Sequence, residues 1–161
     1  MKKRTKLHQQ TGAAVVEFAV LLFLILILLL GIIEFGFLWL QNNYIAHASR
    51  EGARVASKVN STEDDVKNAV KDYLKGLYNE TDVDTDCCEA GDFIEIVYNP
   101  DETSSTDANG TAIYTSQVTV TVETAKVWEP ILWGFLNQND ITHISETAVF
   151  AKEDQTDPNE E

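Results

Sequence analysis

Cys87 and Cys88 are the two cysteines of the chain, and they are adjacent. Zinc takes thiolates in sets completed by further cysteine or histidine, and no histidine stands near this pair. Free thiols, bonds between molecules and a disulfide between the two neighbours all remain open. Asp82, Asp84 and Asp86 alternate as the opening ligands of a calcium loop do. Such a loop has glycine sixth and glutamate twelfth, where this sequence has Cys87 and Phe93. A solvated acidic loop is the first expectation, with calcium the weaker candidate and no other metal. His8, His47 and His143 stand in unlike contexts with no nucleophile at catalytic spacing. No glycine-rich phosphate loop occurs. Neither an enzymatic activity nor a cofactor is expected. Asn60, Asn79 and Asn109 open N-x-Ser/Thr triplets, a pattern frequent by chance.

Two carboxylates stand in more telling surroundings. Glu17 and Glu34 are the sole charged residues between Ala13 and Leu40, and Phe18 to Ile33 holds nothing polar. An acid near the centre of a bilayer costs ~2.5–3.5 kcal/mol, less near its edge, so each needs a reason to be there. As a helix, 28 residues rise ~42 Å, more than the ~30 Å hydrocarbon core requires. Lys2, Lys3, Arg4 and Lys6 precede the run with no acid among them, which places the N-terminus in the cytoplasm and everything after about residue 41 outside it. The whole chain of 161 residues has 12 Lys+Arg against 26 Asp+Glu, a formal net charge of −14. That balance excludes a nucleic-acid binder, which needs a basic face. The apolar run is too long for a secretory signal peptide, although Ala46-His47-Ala48 offers a small-x-small triplet that would leave a secreted chain starting at Ser49.

Gly12 closes the basic leader, four small or apolar residues follow, and Glu17-Phe18 comes next. Glycine lets an extended backbone approach a protease closely. Glu17, near a new N-terminus at Ala13, would meet the positive end of the helix dipole, worth ~0.3–1 kcal/mol. This start resembles the processing site of type IV prepilins and pseudopilins. Further on come Glu34-Phe35-Gly36 and Arg50-Glu51-Gly52-Ala53-Arg54. The three pieces in this order resemble the TadE-like family, minor pseudopilins of the Tad (tight adherence) pilus and secretion machinery. The likeness is strong over about 12–56 and looser over 117–152. It implies cleavage between Gly12 and Ala13 by a prepilin peptidase. It also implies pairing of Glu17, beside Phe18, with a neighbouring subunit's α-amino group to set filament register. Implied partners are other pilin or pseudopilin subunits, the peptidase, the Tad membrane assembly platform and membrane lipid.

Past the membrane, Tyr44, Ala48, Gly52, Val55 and Val59 recur at three- and four-residue spacing. This small-residue stripe fits close packing on the chain's own sheet, or on another subunit's helix. Arg50 and Arg54 form a like-charge i,i+4 pair that acids of a neighbour would relieve. Ser61 or Thr62 caps a second helix with Val66, Ala69, Val70, Tyr73 and Leu77 on its apolar face and Gly76 at its end. Lys67, Lys71 and Lys75 make a basic ladder along it, either a solvated face or a contact with acids. Strands are expected over 93–98, around Val118, Val120 and Val122, and over 141–150, with 99–110 as a turn-rich loop. Trp128, Pro130, Ile131, Leu132, Trp133 and Phe135 would close the core or form a contact patch. Residues 153–161 read as a disordered acidic tail.

The expected fold class is α+β: a long N-terminal helix, transmembrane in its first half, then a short helix and a small antiparallel β-sheet, pilin-like. The expected division is a cleaved basic leader over 1–12, a transmembrane helix over 13–40 and a helical region over 41–77. A β-rich domain over 78–152 and the tail over 153–161 complete it. An uncleaved, single-pass surface-binding protein is the alternative.

Overall fold

The computed structural model describes residues 8–106, 112–124 and 143–153. Helix α1 (His8–Ala56) runs without interruption for 49 residues. Straight-chain and apolar residues favour it throughout, and no proline interrupts it. Ser57 to Asn60 turn the chain, with Asn60 taking a positive φ of 61°, a conformation asparagine tolerates better than most residues. Helix α2 (Glu63–Leu74) starts at Thr62, whose side chain accepts from the Asp65 amide while Asp65 accepts from the Thr62 amide. That reciprocal capping box is the start signal expected from Ser61-Thr62. Val66, Val70 and Leu74 are its buried face. Of the other expected face residues, Leu77 is half-buried beyond the helix and Tyr73 lies at the surface against Tyr44 and His47 of α1.

A short helix α3 (Glu80–Thr85) follows, capped by the Asn79 side chain. The sheet comprises β1 (Cys87–Cys88), β2 (Ile94–Thr106), β3 (Ala112–Glu123) and β4 (His143–Ala151), in the order β1-β2-β3-β4. Its main pairings are antiparallel as expected, β2/β3 and β3/β4, and the two-residue β1 adds a parallel pairing to β2 that makes the sheet mixed. The parallel pairing arises across a tight loop. Asp86 takes the Ile94 amide on its carbonyl and the Phe93 amide on its carboxylate, laying the two segments side by side.

Strand β2 also runs on through residues expected to form a loop. Asn99 still pairs with Gln117 and Thr106 with Ala112, and register shifts between Asn99 and Glu102 and between Thr103 and Ser105 absorb the irregular composition. In β3 the period-2 pattern holds: Val118, Val120 and Val122 are buried, while Thr119 and Thr121 pair their hydroxyls with Thr147 and Ser145 of β4 on the other face. The valines pack toward α1 and α2 in one core with Ile45, Ala48, Ala53, Val66, Val70, Leu74 and Ile94. Tyr78, Val83, Cys88 and Phe93 close its end. Burial pushes the Tyr78 phenol pKa up. Glu153, expected in the tail, donates its amide to the Ser57 carbonyl at 2.8 Å and pins the end of β4 to the end of α1. The Trp128–Phe135 cluster and the rest of the tail lie outside the described residues.

Candidate functional site

The long helix presents two surfaces. From Gly12 to Leu29 its side chains are open on every side, and from Leu30 to Leu40 one side is partly covered; Phe18, Phe23, Leu24, Ile32 and Phe35 are each about 60% exposed or more. This helix is long and apolar enough to cross a membrane, with a mean hydropathy of 3.1 in its most apolar stretch, none of which is buried. Glu17 and Phe18 lie on this exposed stretch, beside Val16, Val20 and Leu21. Gly12 and Ala13 sit inside α1 rather than in an extended segment, since the helix begins at His8.

From Gln41 onward the same helix carries the domain. Gln41, Ile45, Ala48, Ser49, Gly52, Ala53 and Ala56 are buried along one face. The expected stripe is therefore rotated: Ala48 and Gly52 belong to it, Val55 is at its margin, and Val59 lies beyond the helix and is exposed. A Cβ built on Gly52 would lie 2.6 Å from Val70 Cγ2 and 3.1 Å from Val118 Cγ1, so glycine is what lets α2 and β3 approach together. Glu34 also falls on the buried side. Polar ties fix the domain against the helix: Asn42 donates to Glu146 at 2.8 Å and Ser116 to the Ala56 carbonyl at 3.1 Å. Sequence reasoning missed Gln41, Asn42 and Ser49 as packing positions. Their three- and four-residue spacing from Ile45, Ala48 and Gly52 was the available signal.

The residues singled out in the motifs thus divide by direction. Glu34 and Gly52 face inward; Phe35, Gly36 and Arg50 face outward. Arg54, also outward, forms a bidentate pair with Glu51 one turn back. That bond holds the Glu51 carboxyl below its ordinary range. Arg50 and Lys58 make no ion pair among the described residues.

The basic ladder on α2 has a different fate. Lys67 pairs with Glu63 at 2.8 Å and Glu89 at 3.3 Å, and Lys75 with Asp84 at 2.9 Å. Hydrogen bonding to Glu63 and to Asp84 raises the pKa of Lys67 and Lys75 respectively. The acids that meet these two lysines belong to the chain itself.

Cys87 and Cys88 form a disulfide with each other, Cα to Cα 3.6 Å, which selects one of the three options left open. Cys88 takes a φ of 99°, and its side chain is buried against the core. The three aspartates do not converge as a calcium loop. Asp82 and Asp84 are two positions apart on α3, where side chains do not face each other. Asp84 is paired with Lys75, and Asp86 accepts from the Phe93 amide. Among the described residues no group of three His, Cys, Asp or Glu side chains is placed to hold a metal ion.

Fold and surface define a class: a chain supported in a membrane by the bare half of one helix, with a small helix-and-sheet domain seated on the other half. Residues 12–54 match the family model described as TadE-like protein. The match thus spans Gly12 to Arg54, from the exposed apolar start to the outward arginine, and does not include the looser likeness over 117–152. No curated protein and no solved structure matches the chain.

Proposed function

We propose that this chain is a TadE-like minor pseudopilin, a structural rather than catalytic subunit of a Tad-type pilus or secretion assembly. It inserts in the cytoplasmic membrane by residues 13–40, with the basic leader inside and residues from 41 onward outside. A prepilin peptidase removes residues 1–12, and Glu17 then pairs with the α-amino group of a neighbouring subunit as apolar helices leave the bilayer to pack together. The carrying observation is the coincidence of the TadE-like match at 12–54 with a helix that is apolar and uncovered at one end and committed to its own domain at the other. A bilayer hides the first surface before assembly, and neighbouring helices hide it afterwards.

An uncleaved surface-binding anchor is the second reading, and one observation favours it. α1 continues without a break from His8 through Gly12, so cleavage requires the peptidase to unwind a helical turn. Mass spectrometry of the N-terminus, in cells with and without a prepilin peptidase, separates the two. A start at Ala13 that depends on the enzyme supports the pseudopilin; an intact leader in both supports the anchor. Glu17→Leu adds a functional arm, since it removes a membrane cost and would help a plain anchor insert. The pseudopilin with that substitution is expected to be cut but not incorporated, and normal assembly would count against the register mechanism.

A further inference from the structure

Arg50 and Arg54 stand four residues apart on α1, Lys58 follows just past its end, and all three are exposed. Four residues advance a helix by ~400° and ~6 Å, so Arg50 and Arg54 share one side of α1. They lie on the side of α1 opposite Ala48, Gly52 and Ala56, which pack into the core. The chain around them is acidic, with a net charge of −14. In such a chain three neighbouring cations are the exception: Arg54 pairs with Glu51, Lys58 lines a groove with Asp65 and Asp72, and Arg50 makes no ion pair among the described residues.

A complementary surface stands at the same height on the far side of α2. The order along α1 is read from its contacts: Tyr44 and His47 meet Tyr73, and Gly52 meets Val70 and Val66, so α2 descends as α1 rises. The start of α2 is therefore level with the end of α1. There Glu63, Asp64 and Glu89 are exposed, and Glu63 and Glu89 share the single cation of Lys67. The cluster keeps a net negative charge after its internal pairing.

We propose that the Arg50–Arg54–Lys58 patch docks on the Glu63–Asp64–Glu89 surface of a second copy of this chain. The contact joins two different surfaces, so it repeats from copy to copy and builds rows or rings rather than closed dimers. Both surfaces lie at one level along α1, so copies held by parallel membrane helices meet by sideways movement alone. Lipid headgroups are the poorer occupant. Arg50 is ten positions past Leu40, ~15 Å along the helix, beyond the ~5–7 Å headgroup layer. The contact goes beyond the pseudopilin reading and does not depend on removal of the leader.

The test uses the full chain in its native membrane, with a photoreactive benzophenone amino acid in place of Ala90, an exposed neighbour of Glu89 that carries no charge. Two differently tagged copies are co-expressed, with and without prepilin peptidase. Illumination is expected to give a product joining both tags, with the cross-linked peptide mapping to 50–58 of the other copy. Arg50→Glu with Arg54→Glu and Lys58→Glu should lower its yield about tenfold. Asp64→Lys with Glu89→Lys on the probe-bearing copy should restore it, an outcome that misfolding cannot produce. Salt near 1 M, where the Debye length is ~3 Å, should weaken the unmodified contact. A product joining position 90 to position 90, a product with lipid or another protein alone, or a yield indifferent to these charges would overturn the proposal. A mixed-tag product in cells where the leader stays intact would sustain it even if the pseudopilin reading fails.

Discussion

Gly36 and Gly52 belong to the same helix and meet opposite conditions. A Cβ on Gly36 would touch nothing within 4 Å, whereas one on Gly52 would collide with Val70 and crowd Val118. The contrast extends along both halves of α1. In the first half Leu24 is 60% exposed, and in the second Ser49 is 1% exposed. The most apolar run lies outside, while the buried face beyond residue 40 is built, apart from Ile45, from alanine, serine, glycine and glutamine. Composition follows the surroundings each half meets: lipid or neighbouring helices require apolar bulk, and a sheet pressed against a helix requires small side chains. A single continuous helix links the two, with no break in α1 between the bare half and the packed half.

Substitution at these two glycines gives the sharpest way to break the comparison. Gly52→Leu forces a large side chain into packed core, where overpacking typically costs about 1–3 kcal/mol and occasionally more. Loss of cooperative thermal unfolding in detergent, or a melting temperature lowered by many degrees, is the expected result. Gly36→Leu should leave the melting curve of the domain unchanged, and equal effects at both sites would show that the two halves are not packed differently. A second pair removes bulk. Leu74→Ala deletes a fully buried side chain of α2 and should cost about 2–5 kcal/mol. Leu24→Ala on the bare half should leave domain stability as it was.

Much of this division is legible in the sequence, and the misses have physical causes. The apolar run, the Thr62 cap with Val66 and Val70, and the alternating valines of β3 are strong patterns set by local periodicity. The rotated stripe on α1 is harder to see, since alanine, serine and glycine give little periodic contrast. The passage of β2 through Asn99, Pro100 and Asp101 is hidden by the local turn preference of those residues. Pairing with β3, helped by two register shifts, overrides that local preference. β1 is two residues long and defined by bonds from the Ile94 and Phe93 amides to the Asp86 carbonyl and carboxylate, which no periodic pattern announces. The motif positions were found, but their directions required the helix phase: the same run of sequence aims Gly52 inward and Arg50 outward.

A smaller effect sharpens the packed side of the comparison. Thr62→Ala removes the side-chain acceptor for the Asp65 amide and should cost about 1 kcal/mol, read as a lower denaturation midpoint. The partner acid supplies a pH signature. The backbone hydrogen bond from Thr62, aided by that residue's hydroxyl, holds the Asp65 carboxyl below its ordinary range. Its folded pKa is therefore below the unfolded value of ~3.9. The stability it contributes is fully present above that value and is lost as pH falls through the folded pKa. Asp65→Asn should flatten this part of the acid limb of the stability profile. No such change is expected from substitutions on the bare half, for example Ile32→Val.

The smallest expected effect concerns the Cys87–Cys88 bond. Disulfides stabilise chiefly by restricting the unfolded chain, in proportion to the logarithm of the loop they close. Here the sequence separation is 1, so almost no loop is closed. Reduction with a dithiol should therefore shift the melting temperature by little. Its effect should be local, because Cys88 touches the core and the 86–94 backbone is held by Asp86 and Asp92. Amide hydrogen exchange read residue by residue is the suitable measurement: faster exchange is expected from 87 to 95, with α1, α2 and β3 unchanged. Faster exchange at Gly52 or Val118 on reduction would show that the bond supports the seating of the domain on α1. The division between the bare and packed halves would then depend on a covalent link as well as on close packing.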